Sequence, residues 1–198
     1  MNEVTITPLQ GAAAAPYLGD LAALRIAVFR EYPYLYDGTR AYEEHYLRGY
    51  AQSPRALIVL ARDGERVVGA ATAVPLTEHG EDVVPALAAA GFEPSEVYYF
   101  GESVLRAEYR GRGIGHAFFD AREAAARAGG FRVAAFCAVD RGPNHPARPS
   151  DYVPLDAFWQ RRGYAKRPEI VAQFSWRDLG DARETEKPMI FWLRELRA

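Results

Sequence analysis

Arg106, Arg110 and Arg112 interleave with Gly111, Gly113 and Gly115 in the segment Val104-Leu105-Arg106-Ala107-Glu108-Tyr109-Arg110-Gly111-Arg112-Gly113-Ile114-Gly115-His116. An apolar run ends, a glycine-rich turn follows, and an amphipathic helix begins inside the turn. Free amides at a helix start attract anions, and the helix dipole adds roughly half a positive charge there. The glycines permit φ > 0 and let phosphate oxygens approach the backbone without a Cβ in the way. The chemistry implied is the binding of a phosphorylated ligand. Two other phosphate motifs do not fit. A P-loop needs Gly-Lys-Ser/Thr, and here Gly115 is followed by His116-Ala117; a dinucleotide fingerprint needs glycine where His116 or Phe118 stands.

A second group of reactive side chains lies earlier. Tyr32, Tyr34, Tyr36 and Asp37, then Tyr42, Glu43, Glu44 and Tyr46, place ring faces beside carboxylates, a combination suited to a cationic amine. Taken singly, each of these residues reads first as a packing aromatic or a solvated helix face; as a segment they read as an acceptor site. The one cysteine, Cys137, sits in an apolar run and reads as a small buried hydrophobe; no Cys/His spacing resembles a metal site.

Regular elements must carry these groups. A short strand starts at Val4-Thr5-Ile6, and Asp20 is expected to cap a helix with Leu21, Leu24 and Val28 on one face. A second helix is expected over Thr39–Gln52. Asp63-Gly64 joins the β-rich runs Ala56–Ala61 and Val67–Val74 as a hairpin. Then come a small helix from Val83 to Ala90, a strand over Val97–Leu105, a helix from Gly113 to about Ala128 and a strand over Phe131–Val139. Residues 140–154 are too rich in proline for regular structure. A short helix at Leu155–Arg162 and strands near Ile170–Trp176 and Met189–Leu193 complete the chain. A strand-helix-strand core with added antiparallel strands implies one mixed α/β sheet.

With Arg110, Gly113 and Gly115 meeting its cofactor motif Gln/Arg-x-x-Gly-x-Gly/Ala, the chain resembles the GNAT superfamily of acyl-CoA-dependent N-acyltransferases. Phe158-Trp159-Gln160-Arg161-Arg162-Gly163-Tyr164 resembles that family's aromatic-x-x-x-Gly-aromatic segment. The resemblance spans nearly the whole chain. It implies a single domain over residues 1–198, built on a mostly antiparallel sheet with a central splayed parallel strand pair and helices on both faces. It also implies acetyl-CoA as co-substrate. Amides from Arg110 through Gly111, Arg112, Gly113, Ile114 and Gly115 to His116 would hold the pyrophosphate. Backbone near Val104 and Leu105 would pair with the pantetheine arm, with Asn144 and Trp159 also at the cofactor. The His116 ring has a catalytic role only in a second reading.

On the same resemblance, Tyr32, Tyr34 and Tyr36 would line the acceptor pocket. A free alkylamine has a pKa of about 10.4, so a base helps to supply the neutral form. Glu102 is the candidate; strand alternation puts it on the face of Tyr98, Phe100 and Val104, where a carboxylate tends to titrate high. A structural glutamate paired with an arginine is the equal alternative. The family often has a tyrosine where Trp159 stands, to protonate the leaving thiolate; Tyr152 is the substitute expected here, with Tyr164 behind it.

With 198 residues, 49% hydrophobic and 25% charged, the chain can bury a sizeable core, and a net charge of −2 points to neither nucleic acid nor an anionic membrane. No apolar stretch is expected to reach the roughly 20 residues that span a bilayer, which makes a cytoplasmic location the expectation. The functions weighed are an N-acetyltransferase acting on a primary amine of a small molecule or peptide, and a non-catalytic acyl-CoA-binding module. An abandoned glycine turn would have no need of its arginines. The apolar strand Ile190–Leu193 suits either a homodimer edge or the core.

Overall fold

The Asp63-Gly64 turn does close a hairpin, with Gly64 at φ +60°, between β2 (Leu57–Asp63) and β3 (Arg66–Pro75). The protein, seen in a computed structural model that describes residues 3–79 and 82–196, builds one eight-stranded sheet around this hairpin. β1 (Thr5–Gln10) lies outside β2. On the other side β3 is followed by β4 (Val97–Tyr99), β6 (Val133–Val139), β8 (Thr185–Glu195) and β7 (Ala165–Trp176), while β5 (Ser103–Leu105) also pairs with β3. Among the described residues only β4 and β6 run parallel. The last two strands are longer than expected, because Pro168 falls in a register shift between Arg167 and Val171 instead of ending the strand. Ile190–Leu193 is buried mid-sheet, so its apolar surface belongs to the core.

Alternation along the strands sorts the core into two layers. Helices α1 (Leu18–Phe29) and α2 (Arg40–Gln52) cover Ile58, Leu60, Ala70, Val74 and Val104 on one face, and α3 (Val84–Ala89) joins the Tyr99 and Cys137 cluster. Helix α4 (Ile114–Ala128) covers Leu57, Val59 and Ala71 on the other face, with α5 (Asp156–Arg161) near Phe136 and Trp192. Thr39 caps α2, accepting from the Tyr42 amide at 3.4 Å. Asp20 caps nothing: a 3-10 turn at Gly11–Tyr17 runs straight into α1, leaving Asp20 in its first turn. This continuous helical stretch, Gly11–Phe29, has 19 residues and a mean hydropathy of 1.3, so an apolar segment of bilayer-spanning length does exist. Its Leu21, Ala22, Leu24 and Arg25 are buried within the protein.

The expected single strand Val97–Leu105 is broken. Val74 faces Tyr99, and three residues earlier Ala71 faces Ser103, which is four residues after Tyr99. One extra residue is therefore accommodated at Phe100–Glu102 as a bulge opposite Thr72. The Thr72 amide donates to the Glu102 carbonyl (3.0 Å), the Gly101 amide to the Thr72 carbonyl (3.1 Å), and the Glu102 amide to Thr72 Oγ1 (3.2 Å). The extra residue inverts the alternation. Tyr98 and Phe100 face α4, whereas Glu102 shares the α1/α2 side with Tyr99 and Val104, so the shared face expected for Glu102, Tyr98 and Phe100 is corrected.

The bulge also ends the parallel pairing. The Phe100 amide donates to the Ala135 carbonyl at 2.8 Å; beyond it β5 bonds only to β3, and β6 only to β8. A gap opens between β5 and the second half of β6.

Candidate active site

At the mouth of this gap lies the glycine-rich turn. Gly111 (φ +76°) and Gly113 (φ +79°) occupy the left-handed region, where a Cβ is strained, and Gly113 caps α4. Gly115 is helical, with Phe158 lying 3.6 Å from where its Cβ would be, so only two of the three glycines are required by backbone conformation. The helical ladder starts with the Ala117 amide bonding the Gly113 carbonyl (3.2 Å), which leaves the amides of Ile114, Gly115 and His116 ahead of it. The arginines are tied back to the protein. Arg110 donates to the Leu105 carbonyl (3.2 and 3.3 Å) and to Glu31 (2.7 Å); Arg112 donates to the Glu108 carbonyl (2.6 Å). They supply charge and hold the turn, while the amides form a donor set that fits phosphate oxygens.

Along the gap, Val104 is not an edge residue. Glu102 and Arg106 both bond toward β3, and the Val104 carbonyl points there too, 3.2 Å from a Cβ placed at Gly69. Antiparallel alternation then turns Ser103 and Leu105 toward the gap. The Val104 side chain is fully buried under α1 and α2. The Leu105 carbonyl is taken by Arg110, leaving its amide and the Ser103 backbone as the edge that could pair with an extended ligand.

On the α1/α2 side of the gap lies a cavity of about 800 Å³. Its floor is Gly101 and Glu102. Any side chain at position 101 would collide with the Tyr50 hydroxyl and with Thr72 Oγ1. Glu102 Oε2 receives the Arg25 guanidinium at 2.6 Å and the Tyr46 hydroxyl at 3.3 Å, and Tyr46 and Tyr50 share a hydrogen bond of 3.0 Å. Arg25 also pairs with Glu43, which is completely buried, and it lies over the rings of Tyr46 (4.4 Å) and Phe29 (5.0 Å). Burial alone would lower the Arg25 pKa; Glu102, Tyr46 and Glu43 together hold it well above normal. The apolar surroundings expected for Glu102 are thus replaced by an ion pair. Burial also raises the pKa of Tyr46, Tyr50 and Tyr99, so their hydroxyls remain proton donors.

His79 stacks on Tyr99 (centroids 4.5 Å apart), and burial lowers its pKa to about 4, so its imidazole is neutral near pH 7. Tyr99 in turn meets Cys137 Sγ at 3.1 Å. Burial pushes that thiol up to about 12, which removes the thiolate a covalent route would need. Tyr34 and Tyr36 line the cavity; Tyr32 packs instead on Tyr152 (4.7 Å) and His145 (5.8 Å).

The bulge is pinned from the opposite face. Arg122, buried on α4, donates to the Thr72 carbonyl (3.3 Å), the Glu102 carbonyl (3.2 Å) and Ser103 Oγ (2.8 Å), and lies over Phe100 and Phe119. Desolvation lowers its pKa to about 10, leaving it charged near pH 7.

The sequence profile described as the Acetyltransferase (GNAT) family matches residues 21–164. The chain belongs to the GNAT family of acetyltransferases. Solved structures share its fold at low identity. A ribosomal-protein-alanine N-acetyltransferase from Brucella melitensis is 13% identical, with 97% of this chain and 99% of that one covered at a TM-score of 0.62. A proposed acetyltransferase from Salmonella typhimurium, solved with its cofactor acetyl-CoA, is 13% identical over 100% and 96% of the two chains, with a TM-score of 0.60. An N-acetyltransferase from Staphylococcus aureus is 14% identical over 99% and 100%, at 0.59. Curated protein sequences yield no match.

Within this GNAT fold the remaining expected residues fall as follows. Trp159 packs edge-on against Phe136 (5.0 Å) and Trp192 (5.1 Å), beside the first β6 residue past the split. α5 is strapped to α4 through Arg162, which reaches Asp120 (2.7 Å), Glu123 (3.1 Å) and His116 Nδ1 (3.2 Å); the His116 ring therefore faces Arg162. Tyr152 is half-buried against Tyr32, and Asn144 is exposed on the same loop. Tyr46 belongs to the acceptor-side segment noted in the sequence; Arg25, Tyr50, His79, Ser103, Arg122 and Arg141 were not singled out from it. Arg25 and Arg122 carried a signal: each occupies an i+4 place on an apolar stripe, after Leu21 and after Phe118.

Proposed function

We propose that this GNAT chain transfers an acetyl group from acetyl-CoA to a primary amine by direct attack on the thioester. The observation that carries the reading is the gap between β5 and β6, with phosphate-binding amides at one end and a carboxylate-floored cavity on one side. The amides of Ile114, Gly115 and His116 take the pyrophosphate, and the edge formed by Ser103 and Leu105 pairs with the pantetheine arm, bringing the thioester toward Glu102. The amine enters as an ammonium and gives one proton to Glu102, directly or through water. Its lone pair attacks the carbonyl carbon, the carbon–sulfur bond breaks, and the thiolate takes a proton from Tyr152. The nitrogen loses its second proton to solvent and the proton on Glu102 returns to the Tyr152 phenolate through solvent, so one amide, one thiol and one proton result.

Calorimetric titration with acetyl-CoA, with ATP and NAD as controls, tests the donor. Thiol release with an amine panel tests transfer. Selective binding with turnover is the expected result. Binding without thiol release would favour a non-catalytic acyl-CoA module, and no binding would overturn the reading.

A further inference from the structure

The cavity over Glu102 also carries information about what enters it, and this inference rests on the acetyltransferase reading of the same site. Its roof is fastened at several points. The segment between α1 and α2 bonds to the end of β7 and the residues after it: Leu179 amide to Leu35 carbonyl (2.7 Å), Asp37 amide to Arg177 carbonyl (2.9 Å), and Trp176 Nε1 to the Tyr34 carbonyl (3.0 Å). Arg141 locks the crossing, donating to the Pro33 and Tyr34 carbonyls and forming a two-pronged pair with Asp178 (2.6 and 2.9 Å). A polypeptide crossing the sheet over Glu102 would have to part these bonds. The cavity is open on one side, and its size is that of a small-molecule site.

The floor is short of positive charge. Glu102 lines the cavity and Glu43 lies fully buried nearby; the two share the single guanidinium of Arg25, a formal net charge of −1. Both contacts to Glu102 fall on Oε2, which leaves Oε1 for a ligand. A buried carboxylate short of a partner favours an added cation. The same arrangement acts against a carboxylate carried on the amine-bearing carbon. Such a group would lie beside Glu102, where Arg25 is already doubly engaged. Of the two arginines on the wall, Arg177 is engaged by Asp37 at 2.6 Å, and Arg183 is exposed to solvent rather than buried beside Glu102. The walls are aromatic, with Phe29, Tyr34, Tyr46, Tyr99, Phe174 and Trp176 among them, faces that suit a ring or a cation.

We infer that the acceptor is a small arylalkylamine: a primary ammonium next to Glu102, an aromatic body against these rings, and no carboxylate on the amine-bearing carbon. A peptide amine and an α-amino acid are the classes this excludes.

The test compares 2-phenylethylamine, its carboxylated counterpart phenylalanine, and a short peptide with an N-terminal phenylalanine. Binding to the protein is measured by calorimetry, and thiol release from acetyl-CoA is measured in parallel. The expected result is that 2-phenylethylamine binds, and turns over, at least about tenfold better than either competitor, because the carboxylate of phenylalanine meets no free cation beside Glu102 and the peptide chain would have to part the bonds above it. Glu102→Gln should compress that preference, most of all against phenylalanine. Equal or better binding of phenylalanine or the peptide overturns the inference, and so does failure of all three to bind. Selective binding of 2-phenylethylamine without thiol release supports the inference while removing the acetyltransferase reading beneath it.

Discussion

The Arg25 guanidinium reaches Glu102 Oε2 across 2.6 Å while also holding the fully buried Glu43. One cation on α1 thus serves a carboxylate from α2 and a carboxylate from the sheet bulge. Arg25→Met would strand both. Stability to urea should fall by about 3–5 kcal/mol, the usual consequence of breaking a buried pair from one side. Arg25→Lys keeps the charge but not the two-sided reach, and should recover only part of that loss. A loss below about 1 kcal/mol for the Met variant would mean that Arg25 is not compensating two buried charges.

Gly113→Val should raise the Kd for acetyl-CoA by about 100-fold or more, since a side chain at φ +79° costs about 1–2 kcal/mol and re-aims the amides that follow. Gly115→Ala should stay within about threefold of wild type, because that position is helical and its nearest neighbour, Phe158, leaves ordinary contact distance. Calorimetry on the pair separates a requirement of backbone conformation from mere richness in glycine.

Tyr152→Phe should lower kcat roughly 10- to 100-fold if its hydroxyl delivers the proton to the thiolate. Burial holds this phenol above its ordinary range, so it is protonated at neutral pH. The KM for acetyl-CoA should not change. An unaltered kcat would move the proton to another donor, and Tyr34, which burial and its neighbours Cys137 and Tyr152 also keep protonated, is the next to test.

His79 makes stability depend on pH. Burial depresses its folded pKa to about 4 against an ordinary 6.5, although Glu102 and Asp82 pull it the other way. The unfolded chain therefore binds this proton more readily than the folded one. Stability is complete above pH 6.5 and falls as pH drops from there toward 4. Thermal melts over that range should show the decline, and His79→Gln should flatten it. An identical decline in the variant would assign the acid sensitivity elsewhere.

The glycine-rich turn before α4 and the hairpin at Asp63-Gly64 were legible in the sequence because each is local: the residues that make them adjoin one another. The helix expected over Thr39–Gln52 was legible for the same reason, with Thr39 as its cap rather than its first residue. Glu102 was found, but on the wrong face, since the bulge depends on how Thr72 meets two residues at once. Arg25 and Arg122 look like ordinary polar helix positions until the partners brought by the fold are known. Val104 shows the reverse error: it sits beside the gap in sequence, yet the pairing with β3 turns its backbone away.

Arg122 stands eight residues after Ile114 on the helix that starts at the glycine-rich turn, about 12 Å along one rigid rod. The separation between the glycine-rich turn and the bulge that floors the cavity is therefore gauged by helical rise rather than by a loop. Spacing and angle are locked together in such a rod. One residue added between Gly113 and Arg122 would swing the guanidinium by about 100° and strip the bulge of its three donated bonds. The helix length between those two points is a dimension of the site, as much as any side chain in it.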